Sequence, residues 1–265
     1  MTTVADILKF LDRLAPPSLM ESWDNGGLLC GRTDAEVHTI LVALDPFRNV
    51  IQEAIRRRAD LIVTHHPLIF EHPMMAVNDQ SEEGRCLMTL IEHGIAAINA
   101  HTNLDLAPDG INDALAAALG LENVEIIRPM GTLPDGRVYG LLRSGTVEEQ
   151  SLADFLPRVK GRLHCDGLRY VDGGKQVRKV AVGGGSCSDE LLDAIAAGCD
   201  TFVTSDVKYN RFRTAYENGL NLIDAGHFHT ENPAMPILAE KLRAAFPDVT
   251  VIFSETHRDC MKFFR

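Results

Sequence analysis

The chain has 265 residues, of which 45% are hydrophobic and 24% are charged, and its formal net charge at pH 7 is −11. This composition is typical of a globular protein, and the length suits one large domain or two closely packed lobes. The acidic balance argues against a nucleic-acid partner, because binding of backbone phosphates requires a basic surface.

The sequence contains no run of the roughly 20 apolar residues that span a membrane, and its N-terminus lacks the pattern of a signal peptide. The six cysteines form no CxxC pair and have no regular spacing, which is typical of free thiols in a reducing compartment. We therefore expect a cytoplasmic protein without membrane contact.

The first half of the chain alternates predicted helices and strands. Apolar residues repeat with a helical period from Val4 to Leu14, and Thr3 is available as the N-cap. Further helices are predicted over residues 50–58, 82–93 and 111–119, and strands over residues 28–30, 39–44, 60–64, 95–99 and 124–127. This alternation indicates an α/β fold.

The second half repeats the order of the first. Residues 193–204 align without gaps on residues 53–64, with five identities in twelve positions. In the same order, the segments 151–156, 180–185, 222–225 and 249–252 match 3–8, 40–45, 97–100 and 124–127. We therefore predict a duplicated α/β unit that forms two pseudo-symmetric lobes, at residues 1–130 and 131–265, with the functional site between them. The join is expected near residues 129–136.

Two adjacent histidines follow the strand predicted at residues 60–64. Pro67 has no backbone N–H to donate, so the strand is expected to stop before it. Ligands in open α/β sheets collect beyond the carboxyl ends of strands, which places His65 and His66 at a candidate binding position. Successive side chains of a strand point to opposite faces, so we expect the two imidazoles to serve two separate partners. The alternative is a hydrogen-bonded pair at a strand end.

Each half also carries a histidine that is followed four residues later by a carboxylate. His101 and Asp105 come after the strand at 95–99, and His227 and Glu231 take the corresponding place in the second half. Positions i and i+4 of a helix share a face, so each pair can address one locus. Imidazole and carboxylate ligands suit Zn, Fe, Mn or Co. The alternative for the two carboxylates is capping of a helix N-terminus, and for His101 it is orientation of a ligand.

Three further features stand near these positions. Asp45 and Asp206 lie at strand ends, where they could move protons or orient a ligand. The loop at residues 183–186 is either a structural turn or a phosphate-binding nest, and it is neither GxGxxG nor a Walker loop. We therefore predict no organic cofactor. Trp23, the single tryptophan, either lines the site or packs against it.

Five motifs, taken in order, resemble one known family. They are the segments at 23–28 (WDNGGL), 64–70 (THHPLIF), 101–105 (HTNLD), 183–186 (GGGS) and 226–231 (GHFHTE). Together they resemble the Nif-three-like dinuclear metal-binding family of GTP cyclohydrolase I type 2 homologs. The resemblance covers nearly the whole chain, and it implies two α/β lobes, a dinuclear metal centre and a toroidal homohexamer. Family members with a long insertion between the lobes exist, and at this length the chain has none.

The resemblance also implies site residues, carried over by position. The implied metal ligands are His65, His66, Asp105, His227 and Glu231, with Glu231 touching both ions and His101 beside them. One segment departs from the family pattern, which tends to have glycine at the position of Ser205 and histidine at that of Asn210.

The sequence therefore predicts a dinuclear metal-dependent hydrolase, similar to GTP cyclohydrolase, that acts on a nucleotide or phosphorylated heterocycle through a metal-bound water. His101, Asp45 and Asp206 are the candidates for proton transfer. The alternative is a metal-binding scaffold or regulatory protein without turnover, whose coordination sphere would be closed. The expected partners are a small-molecule substrate and further copies of the chain.

Overall fold

The structure, a computed structural model, describes residues 1–70 and 73–264. Its strands are β1 (Gly27–Cys30), β2 (Thr39–Ala43), β3 (Leu61–Thr64), β4 (Ala96–Asn99), β5 (Glu122–Ile126), β6 (Pro129–Thr132), β7 (Val138–Gly140), β8 (Arg143–Gln150), β9 (Arg169–Val171), β10 (Val177–Val182), β11 (Thr201–Thr204), β12 (Asn221–Asp224) and β13 (Thr250–Phe253). Its α-helices are α1 (Val4–Leu14), α2 (Arg48–Arg57), α3 (Glu82–Glu92), α4 (Thr102–Leu106), α5 (Ile111–Leu119), α6 (Leu152–Leu163), α7 (Leu191–Ala196), α8 (Tyr209–Glu217), α9 (His227–Glu231) and α10 (Ala234–Ala245). Within the described ranges, none of these helices is both long and apolar enough to cross a membrane.

The first helix shows how closely local sequence determines local structure. Helix α1 has the predicted bounds, and the Thr3 side chain accepts a hydrogen bond from the backbone N–H of Asp6. The carboxylate of Asp6 in turn accepts from the Thr3 backbone N–H at 2.9 Å, which completes a capping box. Val4, Ile7 and Leu11 form the buried face of the helix. The prediction for this element is confirmed.

The chain divides into two compact units, of which the first comprises residues 1–107 and 235–258. Its sheet has the strand order β1-β4-β3-β2-β13. Strands β4, β3, β2 and β13 are parallel, and β1 is antiparallel to β4. Because Ala43 pairs with Thr64 and Thr64 pairs with Asn99, three strands end side by side at one edge of the sheet. The residues that follow these strands therefore lie close together.

The second unit comprises residues 108–234 and the C-terminal segment from Asp259. Its sheet has the order β5-β8-β10-β11-β12-β9, in which β10, β11 and β12 are parallel and β8 and β9 pair antiparallel at their flanks. Strands β6 and β7 form a separate two-stranded sheet. The predicted mixed α/β architecture is thus present in each unit.

Strand β8 carries a buried ion pair. Arg143 is 1% exposed, and its guanidinium donates to both carboxylate oxygens of Asp113 on α5, at 2.7 and 2.9 Å. A third guanidinium bond, of 2.8 Å, goes to the carbonyl of Gly140. The Asp113 carboxylate thus neutralises the Arg143 guanidinium, which would be costly to bury without a partner of opposite charge.

The compact units do not coincide with the division at residue 130 expected from the repeat. Strand β5 of the first half pairs with β8 in the sheet of the second unit. Strand β13, near the end of the chain, pairs with β2 in the sheet of the first unit. Internal similarity indicates which segments correspond, whereas hydrogen bonds between strands decide which sheet a segment joins. The segment at 129–136, predicted as the join, contributes β6 to a hairpin.

Hydrogen bonds to Glu53 on helix α2 hold the segment that follows β13. The Glu53 side chain is almost fully buried, and its carboxylate accepts hydrogen bonds from the hydroxyls of Ser254 and Thr256, at 2.6 and 2.7 Å. It also accepts from the backbone N–H groups of Glu255 and Thr256. Burial by itself would raise the pKa of Glu53, but these bonds outweigh it and lower the pKa to about 2.

This depressed pKa predicts a pH-dependent contribution to stability. A carboxylate whose pKa falls on folding stabilises the protein above its unfolded pKa, and the contribution disappears as the pH falls through the folded value. We expect Glu53→Gln to lower the free energy of unfolding at pH 7 by about 2–3 kcal/mol. The difference from the wild type should shrink as the pH falls from about 5 to about 2, as measured by urea unfolding. Glu92→Gln, at an exposed position of α3, is the control. A difference that does not change with pH would contradict the assignment.

Candidate metal centre

The first group of candidate ligands lies at the carboxyl edge of the sheet in the first unit. Strand β3 ends at Thr64, so His65 and His66 both lie in the bend beyond it. The rule that side chains alternate along a strand therefore does not apply to them, which removes the ground for separating the two imidazoles. Candidate ligand atoms of His65, His66 and His101 all lie within 4.8 Å of one another. Three imidazoles at this spacing could hold one ion.

Each of these imidazoles is oriented through its Nδ1 atom. His65 Nδ1 lies 2.8 Å from the carbonyl oxygen of Ala100, and His66 Nδ1 lies 2.6 Å from Asp45 Oδ1. A ring nitrogen that donates to such an oxygen leaves Nε2 as the nitrogen with the lone pair. Carboxylate or carbonyl partners of this kind commonly fix metal-ligating histidines in position. The structure thus places Asp45, a predicted proton-transfer residue, on a candidate ligand.

Asp24 orients the His101 imidazole in the same way, and the sequence did not predict this role. Its carboxylate lies 2.7 Å from His101 Nδ1 and also accepts from the backbone N–H and the hydroxyl of Thr102. Burial works against ionisation of Asp24, but these hydrogen bonds outweigh it and hold the pKa of its carboxyl well below the usual range. Asp24 lies in the polar turn before β1, and no spacing in the sequence links that turn to His101.

Asp105 completes the group in the first unit. It lies in the five-residue helix α4, whose N-cap position is occupied by His101 without a side-chain capping bond. Asp105 therefore is not the N-cap residue of this helix, although its charge lies in the first turn. Its Oδ1 lies 3.6 Å from Nε2 of the fully buried His65. This arrangement favours the interpretation of Asp105 as a ligand.

The second unit carries a smaller group on helix α9. His227 and Glu231 are the first and last residues of this helix, and His227 Nε2 lies 3.1 Å from Glu231 Oε1. His227 Nδ1 lies 2.5 Å from Asp206 Oδ2. Burial disfavours the charged ring, but the two carboxylates outweigh it and raise the pKa of His227 to about 11. A divalent ion would displace this proton on binding, since only a neutral imidazole is a ligand.

The glycine loop after β10 supports Glu231. The backbone N–H groups of Gly183, Gly184 and Gly185 donate to Val203 O, Asn112 Oδ1 and Thr230 Oγ1, respectively. These donors are thus used within the protein, which favours the structural turn over the phosphate nest. Gly185 has a φ of 62°, and a Cβ at this position would lie 2.1 Å from Glu231 Oε1. Only glycine leaves space for the carboxylate here.

The predicted site residues thus fall into two sets. His65, His66, His101, Asp105 and Asp45 lie together in the first unit, whereas His227, Glu231 and Asp206 lie together in the second. Both sets offer imidazole nitrogen and carboxylate oxygen, which fits Zn, Fe, Mn or Co. His229, considered local from its position, contacts the Leu163 carbonyl and Asp259.

Comparisons with known proteins point to one family. A family model described as DUF34/NIF3 (NGG1p interacting factor 3) matches residues 2–260. A Clostridium acetobutylicum protein named GTP cyclohydrolase 1 type 2 homolog is 35% identical over 269 residues and covers 98% of both chains. A Streptomyces coelicolor protein of the same name is 38% identical, and the alignment covers 91% of this chain and 86% of the Streptomyces protein.

A solved structure supports the same assignment. The crystal structure of a Bacillus cereus protein related to NIF3 superposes with a TM-score of 0.90 at 27% identity, and covers 100% of both chains. Since the family model matches residues 2–260 of the 265, this chain belongs to the DUF34/NIF3 family.

Proposed function

We propose that the protein is a dinuclear metal-dependent hydrolase that acts on a nucleotide or phosphorylated heterocycle. The proposed ligands are His65, His66, Asp105, His227 and Glu231, with Glu231 shared by both ions. The observation that carries the proposal is the orientation of the imidazoles. The Nδ1 atoms of His65, His66, His101 and His227 each meet a carbonyl or carboxylate oxygen, at 2.5 to 2.8 Å. Such partners recur at histidines that bind metal.

Divalent ions held by these ligands would act as Lewis acids and would lower the pKa of water toward neutral pH. The protein residues have separate tasks in the proposal. Asp45 and Asp206 hold His66 and His227 in the orientation that presents Nε2. His101, whose Nδ1 is engaged by the ionised Asp24, can accept a proton at Nε2 from a reacting group and release it to the leaving group. With Nε2 of His66 and His227 on the ions, Asp45 and Asp206 keep an orienting role in the proposal, and His101 carries the proton transfer.

The names of relatives support the choice of substrate class. The Clostridium and Streptomyces proteins are both named as homologs of a GTP cyclohydrolase, which supports a nucleotide. We further propose that the two units arose by duplication, since β2-β3-β4 and β10-β11-β12 each form three adjacent parallel strands. A homohexamer remains part of the proposal by family resemblance.

A second candidate is a metal-binding scaffold or regulatory protein without turnover. The full burial of His65 favours this candidate, since structural sites close around the ion. Against it, the side chains of His66 and His227 are 20% and 35% exposed, as a site that admits substrate requires.

Metal analysis followed by a nucleotide screen tests the proposal. We expect about two metal equivalents per chain and hydrolysis of GTP or a related nucleotide that depends on added metal. Asp105→Asn should lower this turnover by at least about 100-fold, because the ligand loses its charge. Asp34→Asn, at an exposed position of the same unit, is the control.

The outcomes separate the two candidates. Two bound equivalents without turnover of any nucleotide in the screen would support the scaffold. Wild-type protein that binds no metal would contradict both, and turnover unchanged by Asp105→Asn would reject the mechanism.

A further inference from the structure

Two large aromatic side chains are exposed beside the candidate ligands of the first unit. Trp23 is 54% exposed and Phe70 is 55% exposed. Their ring centroids lie 6.2 Å apart, and each lies about as far from the His101 ring, at 6.0 and 6.2 Å. Both aromatic rings meet the imidazole near edge-on, at 80° and 67°. We name Trp23 and Phe70 the aromatic pair.

The aromatic pair is held in place by the residues next to it in the chain. Asp24, which follows Trp23, is anchored to His101 and Thr102. The side-chain amide of Asn25 donates to the carbonyl of Ile69, which precedes Phe70, at 2.8 Å. One hydrogen bond thus ties the two segments that carry the rings. Exposed aromatic surface that is fixed in this way is ready to receive a ligand without further ordering.

The geometry of the pair restricts how a ligand can bind. A planar ring inserted between two others requires centroids about 7 Å apart, twice the contact distance of carbon atoms. At 6.2 Å and an interplanar angle of 52°, the pair leaves no such slot. A planar ligand must therefore stack on the exposed ring faces. That position lies beside His101, within the same ring cluster as the candidate ligands His65 and His66.

We propose that the aromatic pair is the base-binding platform of this site, on which the planar heterocycle of the substrate stacks. The inference rests on the proposed function for the identity of the ligand, and it adds the residues that select a substrate with an aromatic ring. Stacking recognises the π-face that all nucleobases share. The pair therefore selects for an aromatic heterocycle over a sugar phosphate, while it discriminates little between purines.

The single tryptophan makes the platform directly observable. Trp23 is the only tryptophan of the chain, so the intrinsic tryptophan fluorescence reports on this position alone. Guanosine 5′-monophosphate added to metal-loaded protein should quench this fluorescence in a saturable manner. Ribose 5-phosphate, which lacks the base, should leave it unchanged. Phe70→Leu should weaken binding of the nucleotide at least about fivefold. Phe47→Leu, with the same 55% exposure in the same unit, should change it less than twofold.

The failure of this proposal can be told from failure of the proposed function. Equal binding of both probes without quenching, in protein that carries its metal, would overturn the platform and leave the metal centre intact. A second copy of the chain could also cover the pair. In that case the tryptophan fluorescence would change as the protein concentration rises without nucleotide, and Phe70→Leu would change the oligomeric state. These two results together would overturn the platform. If the wild-type protein proved unable to bind metal, quenching by guanosine 5′-monophosphate would still support the platform although the metal proposal had failed.

Discussion

Replacing Glu231 by glutamine is expected to remove both metal ions from the protein, whereas His66→Ala should remove only one. Glu231 is 4% exposed, and its Oε1 lies 3.1 Å from Nε2 of the candidate ligand His227. A neutral amide retains the size of the carboxylate but loses the charge and the second strong donor oxygen that a shared ligand requires. The proposal assigns to His66 a single ion, so its loss should spare the other.

Metal content per chain, measured after dialysis, distinguishes the two variants. We expect close to zero equivalents for Glu231→Gln and about one for His66→Ala, with circular dichroism confirming that both are folded. Glu149→Gln, an exposed glutamate of the second unit, should retain both ions. Equal losses in the first two variants would contradict the shared role of Glu231, whatever the activity.

The second large effect is on the free energy of unfolding, and it should differ between the two partners of the buried ion pair. Asp113→Ala leaves the guanidinium of Arg143 buried without its carboxylate, which should cost about 3–5 kcal/mol of unfolding free energy. Arg143→Met leaves Asp113, whose side chain is 30% exposed and can return to water. We expect the latter to cost only about 1–3 kcal/mol, because methionine refills the apolar part of the position.

Denaturant unfolding of the two variants measures this asymmetry. An exposed ion pair provides the scale, since Glu217→Ala removes the partner of Arg213 on helix α8 and should cost less than about 1 kcal/mol. If Arg143→Met proved the more destabilising variant, the cost would lie in the lost packing of the long side chain. The assignment of the effect to an unpaired buried charge would then be wrong.

The elements that were predictable are those whose signals are local. The capping box of α1 and the apolar runs of β2, β3 and β4 each lie within a few residues. Strand β8 was not predicted, because its sequence RSGTVEEQ is polar and begins with arginine. That arginine enters the core only because Asp113, thirty residues earlier, neutralises it. A window of neighbouring residues does not contain that information.

The residues of the candidate metal centre likewise differ in whether local sequence could predict them. The histidines and their i+4 carboxylates could be recognised, since each lies just after a predicted strand or within one helical turn. Asp24 could not, because it reaches His101 across 77 positions of the chain through the folded turn before β1. The expectation that His65 and His66 serve separate partners stays a prediction, but the strand geometry on which it was based is absent. It assumed that the strand continued through both residues, and β3 ends at Thr64.

The pairing of β13 with β2 has a consequence for biosynthesis. The ribosome makes Thr39 early, but the strand that pairs with it begins at Thr250, after all six strands of the second sheet have been translated. The unit that starts first is therefore completed last. Until then the edge of β2, with its apolar residues Ile40 to Ala43, is open to pairing with other chains. Newly made chains that lack the C-terminal strand should be the species that depends most on chaperones.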